Sequence, residues 1–145
     1  MADSLKTRVR WVEDHRFLAT TGSGFSLVLD NPHREGGAAA SPMELLLVSL
    51  AGCTGVDVVA ILEKMRQPLE RFEVEVEGWR ADDHPRIYTV LDVVYRAWGQ
   101  IDVKKLLKAV RLSEGKYCSV SEMLRPSSKI AIRVELNGNV VSESE

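Results

Sequence analysis

The longest apolar stretch runs from Ser41 to Arg66, SPMELLLVSLAGCTGVDVVAILEKMR, and its pattern predicts a helix over 41–66. Ser41 offers a side-chain oxygen to an unpaired amide, Pro42 has no amide to leave unpaired, and Glu44 completes a Ser-x-x-Glu capping box. Leu45, Leu46, Leu47, Val48 and Leu50, then Val56, Val58, Val59, Ile61 and Leu62, leave little of the circumference polar, as in a helix buried on most sides. At roughly 1.5 Å per residue it is roughly 35 to 40 Å long. A domain of this size is hardly wider, so the helix is expected to cross the middle and emerge against a second copy of the chain. Glu44, Asp57, Ser49 and Thr54 break the apolar run short of the about 20 residues a membrane span requires, which makes it a core helix.

Elsewhere the period is two. Arg8 to Glu13, alternating as a half-buried strand would, Phe17 to Thr21 and Phe25 to Asp30 read as a three-stranded antiparallel meander over 8–30, turned at Asp14-His15 and Gly22-Ser23-Gly24. NPHREGGAAA, residues 31–40, is a loop able to move. A hairpin over 69–98 follows the helix, with Phe72, Val74 and Val76 opposing Glu73, Glu75 and Glu77. Asp102 caps a helix over 102–113, ended by Glu114-Gly115; a shorter helix over 118–125 stops before Pro126. A strand over 128–136 turns at Asn137-Gly138 into a brief partner over 139–142. The order βββ-α-ββ-α-α-β predicts one α+β domain over 1–145, with antiparallel sheets around a long central helix.

Composition removes alternatives. The chain has 145 residues and a net charge of −2, with no basic run, so neither nucleic acid nor a membrane surface is expected as a partner. Two cysteines do not make a secreted disulfide framework, and the N-terminus lacks a signal-peptide core, which places the protein in a reducing cytoplasm. His15, His33 and His84 share no metal-ligand spacing, and no metal is expected.

The candidate chemistry therefore rests on thiols. Cys53 lies mid-helix between Gly52 and Gly55, and two interior glycines imply a close approach of backbone or substrate. Ser49, Cys53 and Asp57 share a helix face at i, i+4 and i+8. A buried cysteine is commonly only a small apolar group. Burial and Asp57 would raise the Cys53 pKa, so a reactive thiol there needs a cation: Arg34 in the loop, Arg8, Arg10 or Arg16 in the meander, or a residue of a second subunit. Cys118, at a predicted helix N-terminus, is expected to have a lowered pKa.

The Ser-Pro-x-Glu helix start, the Ala-Gly-Cys twelve residues on, the hairpin and the late second cysteine together resemble the osmotically inducible and organic hydroperoxide resistance family (OsmC/Ohr). GCTGVDVVAIL and KYCSVSEML are closest to its YhfA-like branch. The resemblance covers nearly the whole chain. It implies an intertwined homodimer that reduces organic hydroperoxides, with Cys53 attacking the peroxide and Cys118 resolving the sulfenic acid to a disulfide. No bound cofactor is implied, only an external dithiol reductant. Ten residues before the first cysteine, where the family's peroxidases carry an acid, stands Met43; Glu44 is the nearest acid and Arg34 the nearest arginine by loop placement. The alternative on the same fold is a protein that binds a small hydrophobic ligand, with thiols weakly redox-active or inert.

Overall fold

A computed structural model describes residues 3–144. The chain divides into two compact units, Met1–Leu46 and Leu47–Glu145.

In the first unit, β1 (Thr7–Glu13), β2 (Arg16–Thr21) and β3 (Ser26–Leu29) form the expected antiparallel meander in the order β1-β2-β3. Asp14 makes the first turn with a φ of 47°, a left-handed conformation that a short polar side chain tolerates. The structure corrects two expectations here. β1 is exposed along its whole length rather than half-buried. The loop after β3 is not free either: it is folded around the Asp30 carboxylate, whose side chain has no accessible surface. That carboxylate accepts from the amides of Asn31 (2.7 Å) and Ala38 (3.1 Å) and from the guanidinium groups of Arg34 (3.1 and 3.2 Å) and Arg16 (3.1 Å). The unit ends in the predicted capping box, with the Ser41 amide donating to Glu44 Oε2 at 2.7 Å and the Glu44 amide to Ser41 Oγ at 3.2 Å.

From that cap runs α1 (Pro42–Lys64). Its burial differs from the expectation of a helix enclosed on most sides. Only one row, Leu50, Thr54, Val58 and Leu62, is fully buried, each four residues from the last as neighbours on a helix face must be. Val48 and Val56 stand 62% and 70% exposed. Off the buried row, Leu46, Val48 and Val56 are exposed, whereas Leu45, Leu47, Ala51, Val59 and Ile61 are half-buried. By length and composition α1 is also apolar enough to cross a membrane, contrary to the sequence expectation. What marks it as a core helix is the buried row itself, with Thr54 hydrogen-bonded to the sheet beneath it.

The second unit's sheet has the order β4-β5-β6-β7, from β4 (Leu69–Arg80), β5 (Tyr88–Gly99), β6 (Lys129–Leu136) and β7 (Asn139–Glu143). β4 and β5 pair antiparallel, and Leu91, Val93, Tyr95 and Ala97 of β5 are buried at period two. The expectation of wholly antiparallel sheets is corrected at one pairing: β5 and β6 run parallel, from Val90 opposite Lys129 to Ala97 opposite Leu136. A parallel pair needs a long crossover, and here it consists of α2 (Val103–Leu112), a π turn (Ser113–Tyr117) and α3 (Ser119–Leu124). Asp102 caps α2 by accepting from the Lys105 amide at 3.0 Å. The helix does not end at Glu114-Gly115; it widens into the π turn, which carries the chain to Cys118.

Candidate functional site

Cys53 is half-buried on α1, and Cys118 is buried at the N-cap of α3; both are free thiols. The intervening residues fold so that Cys53 lies near enough to Cys118 to act on its thiol, and it raises the Cys118 pKa. The larger cause of that rise is burial, against which a hydrogen bond from the Ser121 amide (3.4 Å) works in the opposite direction. The expectation of a lowered Cys118 pKa is therefore corrected. A helix of six residues supplies one amide to the sulfur, and that does not offset the desolvation of a thiolate.

Beside the thiols lies a set of polar side chains. Thr54, next to Cys53 and fully buried, has its Oγ1 2.7 Å from the Tyr95 hydroxyl and 2.7 Å from Ser113 Oγ. Tyr95 is hydrogen-bonded to Glu114 Oε1 at one end, and Ser113 to Asp57 Oδ2 at 2.9 Å at the other. Burial first, and the Glu114 carboxylate second, push the Tyr95 phenol far above its ordinary pKa. Arg125 donates to the Glu114 carbonyl oxygen at 2.7 Å and bonds Glu122.

Among the sequence candidates, the structure brings together Cys53, Cys118 and Asp57. Ser49 is exposed one turn before Cys53 and takes no part in this set. Glu44 is held in its capping box, which lowers its pKa chiefly through the Ser41 amide. Arg34 is bonded to Asp30 within the N-terminal unit and lies 3.6 Å from Asp14. Sequence reasoning missed Thr54, Tyr95, Ser113 and Glu114. Signals for two of them were present: Thr54 occupies the same helix row as Leu50 and Val58, and Tyr95 an inward position of β5, so each buried hydroxyl required a partner.

The two glycines also need a different account. A Cβ on Gly52 would meet nothing within 4 Å, and one on Gly55 would make ordinary contact with Val74 at 3.5 Å. Among the described residues, no backbone outside the helix crowds them. Both instead line an open groove of about 710 Å³ along α1, walled by Val48, Val56, Val59, Phe72 and Val74. Among the described residues, no group of three or more His, Cys, Asp or Glu side chains is arranged to hold a metal.

Comparison with known proteins assigns the architecture. Residues 35–133 match the family described as OsmC-like protein. The chain belongs to the OsmC-like family. Protein YhfA of Escherichia coli strain K12 is 37% identical over 134 residues, 91% of this chain and 98% of YhfA. A hypothetical protein from Aquifex aeolicus VF5, known from its crystal structure, superposes with a TM-score of 0.85 at 34% identity, covering 94% and 98% of the two chains. An organic hydroperoxide resistance protein from Legionella pneumophila shares the OsmC-like fold with a TM-score of 0.66 at 17% identity, covering 93% and 98%.

Proposed function

We propose that this OsmC-like protein is a thiol-dependent peroxidase acting on organic hydroperoxides, and the observation that carries the reading is a pair of free thiols, Cys53 and Cys118, near enough for one to act on the other's pKa. The Cys53 thiolate attacks the outer oxygen of R–O–O–H; the O–O bond breaks, sulfur is oxidised to a sulfenic acid, and RO⁻ takes a proton to leave as ROH. The Cys118 sulfur then forms the S–S bond, and the sulfenic hydroxyl leaves as water with the proton that Cys118 releases. An external dithiol returns both sulfurs to thiols. A buried, protonated Cys118 suits the resolving role, since it waits as a thiol until the neighbouring sulfur becomes an electrophile.

The groove along α1, lined by Gly52 next to Cys53 though not by Cys53 itself, has apolar walls that suit an alkyl hydroperoxide. The uncovered apolar side of α1 suits a second copy of the chain, so the working form is a homodimer in the cytoplasm, its interface running along this helix. The relationship to a family containing hydroperoxide resistance proteins supports the chemistry at the level of fold.

The test is stoichiometric oxidation of the reduced protein with cumene hydroperoxide. Each chain loses the mass of two hydrogens and one peroxide is consumed per chain. Cys53→Ser abolishes consumption; Cys118→Ser reacts once and holds a sulfenic acid that dimedone traps. Peroxide consumption by Cys53→Ser equal to that of the wild type removes the proposal. The groove also favours a second reading, in which the fold holds a small hydrophobic ligand and the thiols are inert; a lipid co-purifying with peroxide-insensitive protein is its signature.

A further inference from the structure

Asp57, Ser113, Thr54, Tyr95 and Glu114 form one chain of four oxygen–oxygen contacts. Each contact in such a chain needs one hydrogen, and a hydroxyl carries one hydrogen. Ser113, Thr54 and Tyr95 supply three. If Ser113 donates to Asp57 and Tyr95 to Glu114, the single Thr54 hydrogen is claimed at both 2.7 Å contacts, and Glu114 Oε1 at 3.5 Å is a third claimant. One buried contact would then set two lone pairs against each other, a costly arrangement away from water. Thr54, Ser113 and Tyr95 are all inaccessible to solvent, so the middle of the chain is cut off from bulk water as a source of the missing hydrogen.

We propose that the chain stores a fourth hydrogen, a single proton shared by Asp57 and Glu114 through the three hydroxyls. With the proton on Glu114, every bond points toward Asp57; with it on Asp57, every bond points toward Glu114. Reversal of the three hydroxyls moves the proton from one end to the other without breaking the chain. The ends are placed to matter: Asp57 is one helical turn after Cys53, and Glu114 is four residues before Cys118. Among the described residues, the charged and titratable groups on the elements that carry the chain include Cys53 and Asp57 on α1, Tyr95 on β5, Glu114, Lys116 and Tyr117 on the π turn, Glu122 on α3, and Cys118 and Arg125 flanking α3. Lys116 lies 5.2 Å over the Tyr117 ring, and Arg125 is taken by the Glu114 carbonyl and Glu122. The stored proton leaves one negative charge beside the two thiols in place of two. This deepens the peroxidase reading but has a readout independent of turnover.

Infrared spectroscopy of the full-length protein in D₂O at pH 7 reads the proton as a protonated-carboxyl stretch of one group per chain. Glu114→Gln and Asp57→Asn each lose it, because the amide supplies the fourth donor. Thr54→Val loses it without touching a carboxyl, since each remaining segment has as many hydrogens as contacts; Thr54→Ser retains it. Glu114→Gln also changes the pH dependence of Tm. The folded wild type holds a proton that an unfolded carboxyl with a pKa of about 4.3 has released, so wild-type stability falls relative to Glu114→Gln as pH rises above that value. Absence of the stretch in wild type, or its survival in Thr54→Val, overturns the proposal. A parallel Tm profile for wild type and Glu114→Gln does the same.

Discussion

Each unit of this protein buries a polar cluster, and the two are built on opposite plans. In the N-terminal unit, Asp30 is surrounded by more donors than it has oxygens: two amides and two guanidinium groups. In the C-terminal unit, Thr54 sits among oxygens with one hydrogen to give. The first is a saturated charge, and saturation fixes the backbone that supplies the donors. The second has three hydroxyl hydrogens for four contacts and, among the described residues, no cation bonded to its side-chain oxygens, and a chain of that kind suits the shared proton proposed for it better than the holding of a loop. Buried polarity serves as a clasp in one unit and as a store in the other.

The sharpest way to break this contrast is to remove the clasp. Asp30→Ala leaves Arg16 and Arg34 without their shared partner and frees the amides of Asn31 and Ala38, so the N-terminal unit is expected to lose its protection. Hydrogen exchange at residues 31–40 should rise to that of an unstructured loop, a larger change than any other substitution should produce. Acid produces the same loss more gradually. Burial works to raise the Asp30 pKa, but the Asn31 and Ala38 amides, Arg34 and Arg16 outweigh it and hold the carboxyl well below the usual range. Its contribution is therefore complete above the unfolded value of about 3.9 and disappears as pH falls toward the folded one. Exchange unchanged by Asp30→Ala would show that the loop is held by something else.

The second unit fails in the opposite direction. The Cys118 pKa is raised, first by burial and also by Cys53, so its contribution to stability is complete below the unfolded cysteine value of about 8.5 and lost as pH rises through the folded one. Thermal unfolding followed from pH 7 upward should show the wild type losing more stability than Cys118→Ser, whose hydroxyl does not titrate. Parallel profiles would mean that the thiol is not desolvated.

The fold was largely legible from the chain because its signals are local. Ser41 and Glu44 announced the cap that is observed, Asp102 announced α2, and the alternation of Phe72, Val74 and Val76 announced β4. The parallel β5–β6 pairing was not legible, since a strand's own residues are the same whichever direction its neighbour runs. The thiol pair was readable through resemblance to a family, but the polar chain beside it was not. Thr54 and Ser113 are 59 residues apart, and neither type nor spacing shows that two hydroxyls share a 2.7 Å contact. Arg34 illustrates the converse: a cation placed by loop position as a partner for Cys53 is bonded to Asp30, an acid four residues away on the same loop.

The smallest effects expected come from glycines, and they extend the contrast to the backbone. A Cβ on Gly37 would lie 2.4 Å from the Asn31 carbonyl oxygen and 2.9 Å from Pro32 Cα, so Gly37→Ala must distort the loop around Asp30. Gly52→Ala meets nothing within 4 Å, and inside a helix the exchange of glycine for alanine stabilises by about 1 kcal/mol. Denaturant unfolding should therefore give opposite signs for the two variants. On the proposed function, glycine at position 52 beside a thiol keeps open the space that a hydroperoxide or a second subunit would need along the groove. If that is its reason, Gly52→Ala raises the stability of the free chain while slowing cumene hydroperoxide consumption or weakening dimerisation. Gain in stability with unchanged turnover and unchanged oligomeric state would mean that neither occupant comes close to Cys53 from that side.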